Sequence, residues 1–176
     1  LRKIALALAL AATPLLSGCG LHPLYAGGSH SAIAQGLDEV EVPAIPGQQG
    51  WLMRNALMDR LHPNGVGDEG AKRYRLDVKL DDKLEGLGVL ANDTVGRERR
   101  TLRARYQLVD TTTGDILLDA TAGSDAGIDV VSSEYATVAA EQTALENLTR
   151  VVADRIMISL AVRLRQEGGA DRSKGK

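Results

Sequence analysis

Tyr74-Arg75-Leu76-Asp77-Val78-Lys79-Leu80 alternates apolar and charged side chains with a period of two. That period belongs to a strand with one face buried and the other in water. A second segment repeats it. Leu102, Ala104, Tyr106 and Leu108 share one face, while Arg97, Arg99, Thr101, Arg103, Arg105 and Gln107 share the other. Thr111-Thr112-Thr113-Gly114 then supplies a turn, and Ile116, Leu118, Ala120 and Ala122 mark a third strand. Three strands with short connections form an antiparallel meander, apolar on one side and polar on the other.

Outward from this meander the period changes. Residues 37–42 (LDEVEV) stop at Pro43 and suit a short edge strand. From Gly47 to Leu61 the apolar residues Met53, Leu57, Met58 and Leu61 fall at helical spacing, and His62-Pro63-Asn64-Gly65 ends the run. A longer helix is expected from Glu134 to Arg165, with Leu145, Leu148, Val152, Ile156 and Leu160 on one face. Ser132 or Ser133 can cap it, and Glu134 suits its positive end. The order strand, helix, three strands, helix predicts an α+β fold. Two helices pack on one face of a four-stranded mixed or antiparallel sheet, making a two-layer sandwich over residues 37–166. The other sheet face meets water or a partner. Residues 167–176 are polar and predict a disordered tail. Tyr74 and Tyr106 belong to the core, whereas Trp51 suits either the core or a partner-facing surface.

The N-terminal stretch has a different character. Arg2-Lys3 precedes an apolar run from Ile4 to Ala12, and Leu16-Ser17-Gly18 leads into Cys19. A basic start, a short apolar stretch and small residues before a cleavage point form a secretory signal over residues 1–18. The run is too short to cross a bilayer as a helix. Leu-Ser-Gly-Cys resembles the lipobox of bacterial lipoproteins, which implies a diacylglyceryl thioether on Cys19 and cleavage just before it. Cys19 is the only cysteine of the chain, so no intramolecular disulfide competes for its thiol. More than one acyl chain anchors a protein stably. Residues 19–36, rich in Gly, Ser and Ala, read as the linker from that anchor to the fold.

Composition narrows the function further. Removing 18 of the 176 residues leaves about one domain. It also removes two cations and no acid, taking the formal net charge from −2 to about −4. Such a chain is no general nucleic-acid binder. With no Phe and one Trp, the core is built from Leu, Val, Ile and Ala. His22, His30 and His62 are scattered without metal-ligand spacing, so neither a metal site nor a cofactor is expected. No Gly-x-Ser-x-Gly, P-loop or Gly-x-Gly-x-x-Gly is present. Asp81, Asp82 and Glu85 lie together, but nothing in the pattern gives them a pocket that would tune them for acid–base work. The chain therefore carries no catalytic signature.

Cys19-Gly20-Leu21-His22-Pro23-Leu24-Tyr25 resembles the start of the lipopolysaccharide-assembly lipoprotein family LptE, in particular its alphaproteobacterial branch. So do Leu52-Met53-Arg54-Asn55-Ala56-Leu57, Tyr74-Arg75-Leu76, Tyr106-Gln107-Leu108-Val109-Asp110 with Thr113-Gly114, and Tyr135-Ala136 with Ala140-Glu141. The resemblance spans the mature chain. It implies two helices against a four-stranded sheet and a function without catalysis. In that family the lipoprotein plugs the lumen of a large outer-membrane β-barrel, LptD, and helps it assemble. The pair delivers lipopolysaccharide to the outer leaflet. The lipoprotein is held by its lipid at the periplasmic face of the outer membrane. The remaining alternative is an accessory lipoprotein of an envelope ABC transport system.

The candidate contact residues follow from the alternation. Arg97, Arg99, Arg103 and Arg105 place four guanidiniums on one strand face, and Arg75 and Lys79 extend the group onto the neighbouring strand. Guanidinium forks suit the acidic groups of lipopolysaccharide. Like charges this dense repel one another, so an anionic partner is expected. The competing reading is a solvated face neutralised by Asp77, Asp81, Glu85 and Glu98.

Overall fold

The computed structural model describes residues 32–63, 71–89 and 95–174. The signal, Cys19 and the first part of the linker lie outside these residues. The element order is α1 (Ala32–Asp38), β1 (Val40–Glu41), α2 (Gln48–Leu61), β2 (Tyr74–Val89), β3 (Val95–Asp110), β4 (Ile116–Asp129) and α3 (Glu134–Lys174). The strands form one mixed sheet in the order β1-β2-β3-β4. β1 runs parallel to β2, and β2, β3 and β4 form the antiparallel meander that the alternation predicts.

Register follows from the apolar phase. Leu76 pairs with Leu108, and Leu108 with Leu118. Leu76, Leu102, Ala104, Tyr106, Leu108 and Ala122 are therefore buried on one side. A slip of one residue would turn this whole set into water. The β3–β4 turn is built on Asp110. Its Oδ1 accepts the Thr112 N–H at 2.8 Å, and its carbonyl accepts the Gly114 N–H at 2.8 Å. Gly114 sits at φ 80°, a left-handed conformation suited to glycine. Beyond the turn the register shifts between Leu108 and Val109, an irregularity that accommodates Leu117.

The helices cover this apolar face. α3 contributes Leu145, Leu148, Val152, Ile156 and Leu160, all buried, and α2 contributes Met53, Leu57 and Leu61. Each such side chain adds about 1.5–3 kcal/mol on burial. Gly50 lets α2 approach the preceding loop, because a Cβ there would stand 2.4 Å from the Ile45 carbonyl oxygen. Arg54 Nε also ties α2 to that loop by donating to the Val42 carbonyl at 3.0 Å. Ser133 begins α3: its Oγ accepts the Ala136 N–H at 3.4 Å, and Glu134 lies in the first turn.

Three boundaries differ from the sequence reading. Residues 32–36, read as linker, and Leu37–Asp38, read as strand, form helix α1. Seven residues give little helical signal, and isolated helices so short are marginal. Tertiary contact stabilises this one: Leu37 is buried, and Gly36 lies against Leu164 of α3. The edge strand shrinks accordingly to Val40–Glu41. At the other end α3 continues to Lys174, past the point where composition predicts a disordered tail.

Candidate binding face

The uncovered side of the meander carries the opposite phase of every strand. Register places Lys79 beside Arg105, Asp81 beside Arg103, and Glu85 beside Arg99. On the other flank Arg103 faces Gly123, Arg99 faces Gly127, and Arg97 faces Asp129. The six cations expected from the sequence therefore share one surface, and the structure divides them into two sets.

Arg75, Arg97 and Arg105 are paired. Arg75 Nε donates to Asp77 at 3.0 Å, and this bond raises the guanidinium pKa above its usual value. Arg97 Nε lies 3.2 Å from Asp129. Arg105 grips Asp119 with two bonds of 3.2 and 2.9 Å, and Gln107 donates to the same carboxylate at 2.9 Å. The bond from Arg105 is the main reason that Asp119 titrates below the ordinary carboxylate range. All these groups are exposed or nearly so, and such pairs can exchange partners at little cost.

Lys79, Arg99 and Arg103 form no ion pair or hydrogen bond among the described residues. Gly123 removes the side chain that would otherwise oppose Arg103. A shallow depression of about 220 Å³ results, lined by Thr101, Arg103, Thr121, Gly123, Ser124 and Asp125. Its lining brings the Arg103 guanidinium together with the open-face residues Thr101 and Thr121, and includes the carboxylate of Asp125.

Two residues belong to the covered side instead. Glu98, counted among the neutralisers of the stripe, has the even phase, so it cannot screen the open face. Its Oε2 is buried without a hydrogen-bond partner among the described residues. Arg100 shares that side. It makes two bonds of 2.9 and 2.7 Å to Asp82 and donates to the Glu141 carbonyl at 3.0 Å, joining β3 to both β2 and α3. The adjacent pair Arg99-Arg100 was the available signal, since consecutive strand residues point to opposite faces. The acids of β4 were also missed as partners of the stripe. They become visible only once β4 is placed in register.

Among the described residues no group of three or more His, Cys, Asp or Glu side chains could hold a metal ion. No helix there is long and apolar enough to cross a membrane. Trp51, left open by the sequence, is 63% exposed on α2.

The domain is a helix-covered sheet whose other face carries the cationic phase of β2 and β3. Residues 37–160 match the model of the lipopolysaccharide-assembly family LptE. The chain belongs to this family. No curated protein matches it significantly. Solved structures share the fold. A protein from Caulobacter crescentus CB15, assigned as a lipoprotein, is 23% identical with a TM-score of 0.64, over 78% of this chain and 98% of that one. A minor lipoprotein from Acinetobacter baumannii is 17% identical with a TM-score of 0.53, over 70% and 88%. The rare lipoprotein B of Shewanella oneidensis is 15% identical with a TM-score of 0.52, over 75% and 96%.

Proposed function

We propose that this chain is the lipoprotein subunit of a lipopolysaccharide translocon. Acyl chains on Cys19 tether it to the periplasmic face of the outer membrane after removal of residues 1–18. The domain plugs an LptD-type β-barrel and helps it assemble. Its open sheet face contacts lipopolysaccharide during delivery to the outer leaflet.

The observation that carries this reading is the set of Lys79, Arg99 and Arg103, which share one sheet face and have no ion pair or hydrogen bond among the described residues. Phosphate and carboxylate groups satisfy the two guanidiniums by paired, charge-assisted hydrogen bonds and the Lys79 ammonium as a point charge. A face used only for solubility would gain most from the interspersed pairing seen at Arg75 and Arg105. Membership in a lipopolysaccharide-assembly family favours this reading over an ABC-transport accessory role.

Co-purification tests the assignment. The full-length lipoprotein, expressed with its barrel and extracted from outer membranes, should elute in a one-to-one complex with it. Recovery of the lipoprotein as a separate species from cells producing both proteins would overturn the reading.

A further inference from the structure

We propose that the free edge of β4 is a strand-addition site for an extended, basic segment of another protein. This goes beyond the use of the open face for lipopolysaccharide, because it concerns the backbone at the side of the sheet.

β4 ends the strand order, so one side of its ladder has no neighbouring strand among the described residues. The pairing identifies which groups are available. The Val130 N–H donates to the Gly96 carbonyl, so even-numbered residues exchange bonds with β3. Asp119, Thr121, Gly123, Asp125, Gly127 and Asp129 consequently aim their N–H and C=O groups outward. Gly123 confirms the direction, since its carbonyl accepts the guanidinium of Arg155 from α3.

Long open edges are ordinarily guarded by Lys, Pro or a covering element. β4 contains no Lys, Arg or Pro over its 14 residues, and Arg155 covers one carbonyl of it. Its outward-bonding residues include three carboxylates, and Asp125 has no ion pair or hydrogen bond among the described residues. β2 differs. The start of its outer edge is covered by β1, its outward-bonding groups belong to even-numbered residues such as Tyr74, and its open-face side chains alternate Lys79 and Lys83 with Asp77, Asp81 and Glu85.

This difference selects the occupant. A second copy added antiparallel at β4 would bring rows of aspartates together, which is unfavourable across paired strands. A segment with Lys or Arg at alternate positions would place cations beside Asp119, Asp125 and Asp129. Main-chain bonds then supply affinity, and the charges set register. Arg155 acts as a replaceable guard of the Gly123 carbonyl until the segment arrives.

The test uses the full chain and an acetylated, amidated octapeptide alternating Lys and Thr, followed by amide hydrogen exchange. The amides of Thr121, Asp125, Gly127 and Asp129 should exchange about tenfold more slowly with peptide bound. The same peptide N-methylated at alternate amides should give no slowing, because its charges remain but its ladder is blocked. Thr121→Pro should keep the far-UV circular dichroism of the parent and lose the slowing, since the removed N–H points outward. Slowing of these amides without peptide, rising with protein concentration, would assign the edge to a second copy and overturn the proposal. No slowing, or equal slowing by the N-methylated peptide, would overturn it as well.

Discussion

The side chain of Arg103 on β3 crosses the backbone of Gly123 on β4. The two residues are register partners, and a Cβ added at Gly123 would stand 3.0 Å from the Arg103 Cγ. The missing side chain is thus what lets this unpaired guanidinium lie in a depression rather than stand away from the sheet. Substitution by a β-branched residue should displace it. We expect Gly123→Val to cost about 1–3 kcal/mol in urea unfolding through overpacking. Lipopolysaccharide affinity should fall along with this loss of stability.

The two sets of cations should behave differently. Arg99→Glu with Arg103→Glu removes guanidiniums that have no local acid to release. Arg75→Glu with Arg105→Glu makes the same change in net charge but breaks pairs with Asp77 and Asp119 instead. In lipopolysaccharide titrations at low salt, where exposed charges are screened least, the first double variant should lose much more affinity than the second. Equal losses would show that bulk charge alone governs binding.

Arg100 should be a stability residue. Its side chain and that of Asp82 are only 16% and 14% exposed, and their nearest atoms are 2.7 Å apart. Arg100→Met leaves the Asp82 carboxylate without its guanidinium and should cost about 3 kcal/mol in urea unfolding. Adding Asp82→Leu should recover most of that loss, because an apolar pair needs no desolvated charge. Lipopolysaccharide binding by the double variant should match the parent, since both groups lie on the covered face.

Asp110 supplies an acid-sensitive element. Its carboxylate titrates below the ordinary value of 3.8, chiefly because it accepts the Thr112 backbone N–H. A carboxylate depressed by folding stabilises the native state above its unfolded pKa and loses that contribution as pH falls through the folded one. The urea midpoint of the parent should therefore drop as pH falls below about 4, near the reference carboxylate value. Asp110→Asn, which keeps the acceptor oxygen without the titration, should show a shallower drop over the same window.

The legible part of the fold was the part written in period. Tyr74 to Leu80 and Leu102 to Leu108 declared which side of each strand is buried, and the structure keeps both phases. Leu145, Leu148, Val152, Ile156 and Leu160 likewise declared the inner face of α3. Helix α1 was not legible, because contact of Leu37 and Gly36 with the rest of the fold outweighs a weak local preference. The six candidate cations were correctly grouped on one face. Arg75 pairs with Asp77 on its own strand, but the division of the β3 arginines into paired and unpaired depends on Asp119, Asp129 and Gly123, which come from β4. Glu98 and Arg100 show the same limit from the other side: adjacent charges in sequence occupy opposite faces of the sheet.

The open face can be interrogated directly in cells. Thr101 lies between Arg99 and Arg103 on that face, and a photo-crosslinking amino acid there would report what covers it. In cells that make the barrel, irradiation should give an adduct containing lipopolysaccharide, while the same probe at exposed Asn147 on α3 should not. A probe at Thr101 that captures no lipopolysaccharide, in a lipoprotein shown to be in its barrel complex, would contradict the role assigned to this face.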